Sequence, residues 1–452
     1  MSRMHLTYRS LALALPLLLA STVIGQEDAV SFREQVAPLL INNCLACHGP
    51  KKAEGGYRVD SFERLSLAGD SGEVALTAGE VDQSELLRRI ASDEESERMP
   101  LEGDPMPAEH VALIKQWIAE GAKYDAEDPK APLASIIPAP THPDPPEVYP
   151  RAVPVTALAF TPDGEQLVVG GYHELTVWSP ADGSLLRRIK NVGQRTYALS
   201  FSPDGSLLAV GCGAPGRLGE TRIFDPTSGE LKLVLGTTSD VVLDVNFNPA
   251  GDRLAVASAD GVIRVYEVAS GDLQLTITSH SDWVMAIAWN HDGTRLASAS
   301  RDKTSKVFDA SNGELVVTYA GHGQAVKGVT FHPKGEEVFS GGGDNKVHRW
   351  KVEDGKKGAE IAFGGEVYKL ARGADFFFAT SADKSVRQYL AEDQKEVRKY
   401  EGHSDWALVA SYHDGSKRLA SGGFDGEVRV WNTEDGAAVV TFLAAPGVKK
   451  EE

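Results

Sequence analysis

Cysteine is scarce in this chain: three among 452 residues, too few for a disulfide framework. Basic clusters are missing too, and 46 Lys and Arg stand against 64 Asp and Glu, 46 − 64 = −18. That balance argues against nucleic acid or anionic lipid as main partners. Long apolar runs are absent except near the start. There Arg3 and Arg9 precede the apolar run Leu11 to Ala20 and then Ser21-Thr22-Val23-Ile24-Gly25. The apolar stretch reaches about 15 residues, short of the ~20 that span a bilayer, so no membrane anchor is expected. Val23 and Gly25 are small enough to precede a cleavage point, which predicts a signal peptide over 1–25 and an exported, periplasmic or cell-envelope protein. No cysteine lies near that point, which removes a lipoprotein.

What is present is ordinary globular composition, 42% hydrophobic and 24% charged, enough for large cores. The length suggests about two or three domains. Two of the three cysteines stand in Cys44-Leu45-Ala46-Cys47-His48. Thiols three apart followed at once by a histidine read as the attachment site of one c-type haem. Each thiol can form a thioether to a haem vinyl group, and the imidazole of His48 becomes an iron ligand. Zinc needs about four ligands, and no second Cys or Cys/His pair follows nearby. A redox dithiol belongs after a strand, whereas this motif follows a helical pattern. The remaining thiol, Cys212, lies in an apolar run and reads as a buried small hydrophobe.

Residues 27–125 read as a small helical module. Ser31-Phe32-Arg33-Glu34 is a capping-box pattern that predicts a helix from Phe32, with Phe32, Val36, Leu39 and Leu40 on its apolar face. A last helix follows Pro107, with Val111, Leu113, Ile114, Trp117 and Ile118 inward and Gly121 at its end. Between the helices a thioether is the expected sixth iron ligand. Met99, in the loop after the Ser84–Ile90 helical stretch, is the first candidate; Met106, at the start of the last helix, and His110 are the alternatives. Asp93, Glu94, Glu95 and Glu97 form an acidic run that is either a solvated loop or a rim that steers a basic partner.

The module resembles the planctomycete-type cytochrome c domain over about residues 30–124. The likeness is carried by Cys44-Leu45-Ala46-Cys47-His48-Gly49, Gly55-Gly56-Tyr57-Arg58-Val59-Asp60, Arg98-Met99-Pro100 and Gln116-Trp117-Ile118-Ala119-Glu120-Gly121. The resemblance implies a class I-like all-α fold that binds haem c with His48 and Met99 as axial ligands. Leu101 stands where that pattern usually has a second proline.

Eight prolines crowd residues 126–152, which predicts an extended linker and a domain boundary. From 153 to 445 an aromatic recurs at Trp178, Phe224, Tyr266, Phe308, Trp350, Tyr389 and Trp431, at intervals of 46, 42, 42, 42, 39 and 42 residues. Short alternating runs with turns at this period mean blades of four strands in an all-β seven-bladed propeller. An aspartate stands six residues before each of the last five aromatics: Asp260, Asp302, Asp344, Asp383 and Asp425. The repeat resembles the WD40 family over all seven units. That likeness implies a hydrogen-bonded tetrad such as His403, Ser421, Asp425 and Trp431, or His322, Ser340, Asp344 and Trp350. In the fourth unit it is His280, Ser298 or Ser300, Asp302 and Phe308. Units one, two and six depart from the pattern and are expected to be less firmly locked. Each blade is expected to come from contiguous sequence, and 446–452 is a charged tail.

Three functions remain after this reading. The first is a one-electron carrier with one covalently attached haem and a propeller that docks a redox partner and other proteins. The second is a haem-based sensor or interaction scaffold. The third is an oxidoreductase with a cofactor or substrate in the propeller funnel; enzymes that join a cytochrome c to a propeller generally have eight blades. No catalytic residue stands out, and a carrier or binding protein is favoured over an enzyme.

Overall fold

The computed structural model describes residues 29–448 apart from 46, 51, 102, 139, 140 and 336. The predicted signal peptide and the last four residues of the tail lie outside the described residues. The chain divides into two compact units, 1–138 and 139–452.

The first unit is small and helical. Ser31 caps it as predicted, its hydroxyl accepting from the Glu34 N–H at 3.1 Å. The reciprocal bond comes from Gln35 rather than Glu34, its Oε1 accepting the Ser31 N–H at 2.9 Å. The reason is local: Phe32–Val36 forms a wider, π-type turn before continuing as α1, Ala37–Asn43. There follow α2 (Phe62–Leu65), α3 (Glu85–Ile90) and α4 (Ala108–Ala119), the last entered through Pro107. Gly121, at φ +98°, ends it where a side chain would be strained. Phe32, Val36, Leu40, Ile114, Trp117 and Ile118 are fully buried. The Phe32 ring lies 5.2 Å from Trp117 and 5.1 Å from Phe62, so the two predicted apolar faces meet. Each such side chain contributes roughly 1.5–3 kcal/mol by leaving water. A short α5, Leu133–Ile136, belongs to the same unit, since the Leu133 N–H donates to the Asp60 carbonyl at 2.9 Å.

The second unit is a seven-bladed propeller. Each blade is a four-stranded antiparallel sheet with strands in chain order, so every blade is contiguous in sequence, as predicted. Inner strands such as Val284–Trp289 are almost wholly buried, whereas outer strands such as Leu315–Tyr319 alternate toward solvent. The ring closes without an exchanged strand: the seventh blade keeps its own outer strand, Ala438–Leu443. Side chains hold that seam, with Trp178 of the first blade 4.7 Å from Phe442 of the seventh. His413 Nε2 also meets the Pro162 carbonyl at 2.9 Å across it.

The tetrads form where they are complete. His280 bonds Asp302 at 2.8 Å and Ser298 at 2.7 Å, which selects Ser298 over Ser300; Ser300 takes the Asp282 carbonyl. His322 bonds Asp344 at 2.9 Å and Ser340 at 2.8 Å, and Trp350 Nε1 donates to Ser340 at 3.0 Å. His403 likewise meets Asp425 at 3.2 Å and Ser421 at 2.7 Å.

The first two blades, which lack the aspartate, are locked differently. Buried Glu174 accepts from Tyr149 at 2.6 Å and from Arg188 at 2.5 Å. Buried Glu220 is shared by Arg222 at 2.9 Å and His142 at 2.6 Å. His142 and Tyr149 come from the proline-rich stretch, and Pro146 adds a carbonyl to Arg188 at 2.6 Å. Burial alone would raise the Glu220 carboxyl; the His142 and Arg222 bonds reverse this and hold it below the ordinary range. The weaker locking expected of these blades is therefore compensated by residues outside the repeat.

Candidate functional site

The end of α1 delivers the chain into the Cys-Leu-Ala-Cys-His motif. The Cys44 N–H still bonds the Leu40 carbonyl at 2.9 Å, and those of Cys47 and His48 turn back to the Cys44 carbonyl at 3.2 and 2.9 Å. His48 then enters an isolated bridge with Ala53, and its carbonyl accepts from Val59 at 2.8 Å. Its Nδ1 lies 3.4 Å from the Tyr57 carbonyl, a long contact that favours the Nδ1–H tautomer and leaves Nε2 available as a ligand. The motif thus sits on a short, backbone-bonded turn with an oriented imidazole.

Cys44, His48 and Met99 line one cavity. Its apolar walls come from Tyr57, Val59, Ala75, Leu86 and Ile90, and Arg89 supplies a cation. A second cavity of about 450 Å³ shares Cys44, His48, Ile90 and Met99, and adds Cys47 and Met106. Met99 lines both cavities; Met106, 7% exposed, lines the second alone. The Met99 N–H is anchored to the Arg89 carbonyl at 3.0 Å, so α3 fixes where the thioether starts. His110 lines neither cavity. Cys47 is exposed, whereas burial, and then the neighbouring Cys47, raises the Cys44 thiol to about 11.

These donors fit haem c. Two thiols and an imidazole meet an apolar cavity, with soft sulfur from Met99 on its wall. Among the described residues, triads of metal-donor atoms within 4.8 Å occur at His322/Asp344/His348 and His403/Asp425/Glu427, in the propeller. Both contain tetrad members. The acidic run stays outside the cavity: Asp93, Glu94 and Glu95 are exposed, and Glu97 pairs with Arg88 at 2.6 Å.

The propeller has a central cavity of about 1070 Å³ lined by the inner strands. Asp244 of the third blade and Lys369 of the sixth meet across it at 2.8 Å. Sequence reasoning missed this pair, because no local pattern couples residues so far apart in the chain. Nor did it find Glu174 and Glu220, although each stands four residues before its blade's aromatic.

Residues 44–103 match the family described as Planctomycete cytochrome C, a segment that runs from the first cysteine past Met99. Residues 229–267, 271–309, 313–351 and 394–432 match the WD domain, G-beta repeat. Each match runs from the outer strand of one blade through the first three strands of the next, and so into blades three, four, five and seven. The chain is also similar to Intraflagellar transport protein 122 homolog. It is 30% identical to the Danio rerio and Mus musculus proteins over 102 residues, 23% of this chain and 8% of each relative. For the Homo sapiens protein the identity is 28% over 105 residues. The matched part thus spans under a tenth of those relatives. The chain therefore joins a cytochrome c-type segment to a WD40 propeller.

Proposed function

We propose that this chain is an exported monohaem cytochrome with a class I-like helical domain, which passes single electrons while its propeller docks other proteins. The carrying observation is the convergence of Cys44, His48 and Met99 on one apolar cavity. Bound there, haem c supplies a one-electron ferric/ferrous couple. Cys44 and Cys47 would hold it by thioethers, and His48 and Met99 would supply its iron ligands. The Tyr57 carbonyl orients the His48 ring. Val59, Leu86 and Ile90, all buried, keep water from the pocket and so lower its polarity, which tunes the potential. As a soft, neutral thioether donor, Met99 would favour the ferrous state.

The WD40 repeats and the likeness to an intraflagellar transport protein support the docking role. Among the described residues no helix is long and apolar enough to cross a membrane. The test is a reduced spectrum of the purified protein before and after denaturation in acidified acetone. Covalent c-type bands are expected to stay with the chain and to vanish in Cys44→Ser/Cys47→Ser. Haem extracted from the unaltered protein would overturn the reading.

A further inference from the structure

The tetrapeptide His-Ser-Asp-Trp occurs twice, at His280–Trp283 before the fourth blade and at His403–Trp406 before the seventh. The backbone frame around each is the same. Each tryptophan N–H bonds the preceding aspartate at 2.8 Å. Each tryptophan carbonyl accepts from the residue before the tetrad aspartate, Arg301 at 2.9 Å in one case and Phe424 at 2.8 Å in the other.

In the fourth blade an arginine fills this frame. The guanidinium carbon of Arg301 lies 4.3 Å from the centre of the Trp283 ring. Its Nε reaches the two Asp282 oxygens at 2.8 and 2.9 Å. Trp283 is half-buried. In the seventh blade Phe424 stands in the arginine's place, its ring 5.5 Å from Trp406 and tilted by 54°. Trp406 is 44% and Phe424 48% exposed. Asp405 keeps its bond to the Trp406 N–H, but among the described residues no cation pairs with it. Lys384 reaches the Ser404 carbonyl at 2.7 Å instead. Tyr368 of the sixth blade adds a wall, 6.0 Å from Trp406, and the ammonium of Lys327 beside it is paired with Glu366.

We propose that Asp405, Trp406, Phe424 and Tyr368 form a receptor for an arginine side chain of a basic partner protein. The guanidinium stacks on Trp406 and pairs with Asp405, as Arg301 does on Trp283 and Asp282 within the chain. A planar guanidinium suits an aromatic face and a carboxylate together better than an ammonium does. The net charge of −18 draws a basic partner toward the protein. This inference rests on the docking role of the propeller and gives that role its chemistry.

The test uses the full haem-loaded chain labelled with 5-fluorotryptophan, whose seven tryptophans give separate fluorine resonances, with Trp406 assigned through Trp406→Phe. The probe is a Gly/Ser peptide carrying one arginine, compared with its citrulline twin. The Trp406 resonance is expected to shift with the arginine peptide and about fivefold more weakly with citrulline, while the Trp283 resonance stays in place. Asp405→Asn should weaken the arginine response by about fivefold. Phe424→Arg, which supplies the side chain in cis, should abolish it. Unmoved resonances from the other tryptophans report that each variant is folded. Equal shifts with citrulline, or a response that survives Phe424→Arg, would overturn the site. A basic partner protein that binds the unaltered chain and Phe424→Arg equally would also overturn it while leaving the docking role intact. A peptide response without any protein partner would do the reverse.

Discussion

Met99 and Met106 lie close in sequence, and each is followed by a proline, so residue type alone does not separate them. Position does: Met99 is held by the Arg89 carbonyl and borders both cavities, whereas Met106 is buried beside one. Met99→Ala should let the ferrous protein bind carbon monoxide rapidly and should lower the potential by on the order of 0.1 V, part of the ~0.8 V that axial ligands span. Met106→Ala should leave both properties in place. Stopped-flow and a redox titration measure these, and the reverse pattern would give the role to Met106. The same scale holds Glu220, whose charge Arg222 and His142 share inside the second blade. Glu220→Gln keeps the volume but removes a buried carboxylate charge from between Arg222 and His142, at a cost of about 3 kcal/mol in urea unfolding. A loss below about 1 kcal/mol would mean that solvent reaches this group. Cys44, Cys47, His48 and Met99 were legible as chemistry because spacing carries their meaning. Glu220 was not, since its partner sits 78 residues away.

At the scale of the element, the blades depend on histidines kept neutral and aspartates kept charged. Burial lowers His280 and His322 below the ordinary imidazole value despite their aspartates, and burial followed by the neighbouring His322 brings His348 to about 4. Burial would raise Asp302 and Asp425; hydrogen bonds from Thr304 and His280 to Asp302, and from His403 to Asp425, bring both to about 2. In each case the unfolded chain binds protons more readily than the folded blade does. Propeller stability should therefore fall as pH drops below about 6.5, from the histidines, and fall further between about 4 and 2, from the aspartates. Denaturation midpoints measured from pH 8 to 3 test this, and a stability that rises on acidification would contradict it. The repeat period made the blades readable in advance, because a four-stranded unit must place its aromatic and its turn at fixed offsets. The π-type turn at Phe32–Val36 was not readable: a capping box and its one-residue variant share the same sequence signature.

Across the whole molecule, the proline-rich stretch does more than separate domains. Pro129 and Leu133 are hydrogen-bonded within the first unit, and His142, Pro146 and Tyr149 complete the first two blades of the propeller. A propeller chain that starts at residue 153 should thus be less stable than one that starts at 139, by several kcal/mol, because two buried carboxylates lose partners. Thermal unfolding of the two chains decides it, and equal midpoints would show that water replaces His142 and Tyr149.

The sequence by itself determined the haem motif, the count of blades, their contiguous build and the apolar faces of the terminal helices. Each of these is encoded by residues close in the chain or by a fixed period, where geometry follows from bond lengths and strand spacing. Tertiary structure alone decided which methionine borders both cavities, how blades without the aspartate are locked, and that Asp244 meets Lys369 across the central channel. Those outcomes depend on burial, which removes water as a competing partner and makes a distant side chain the one available, and no local pattern records that distance.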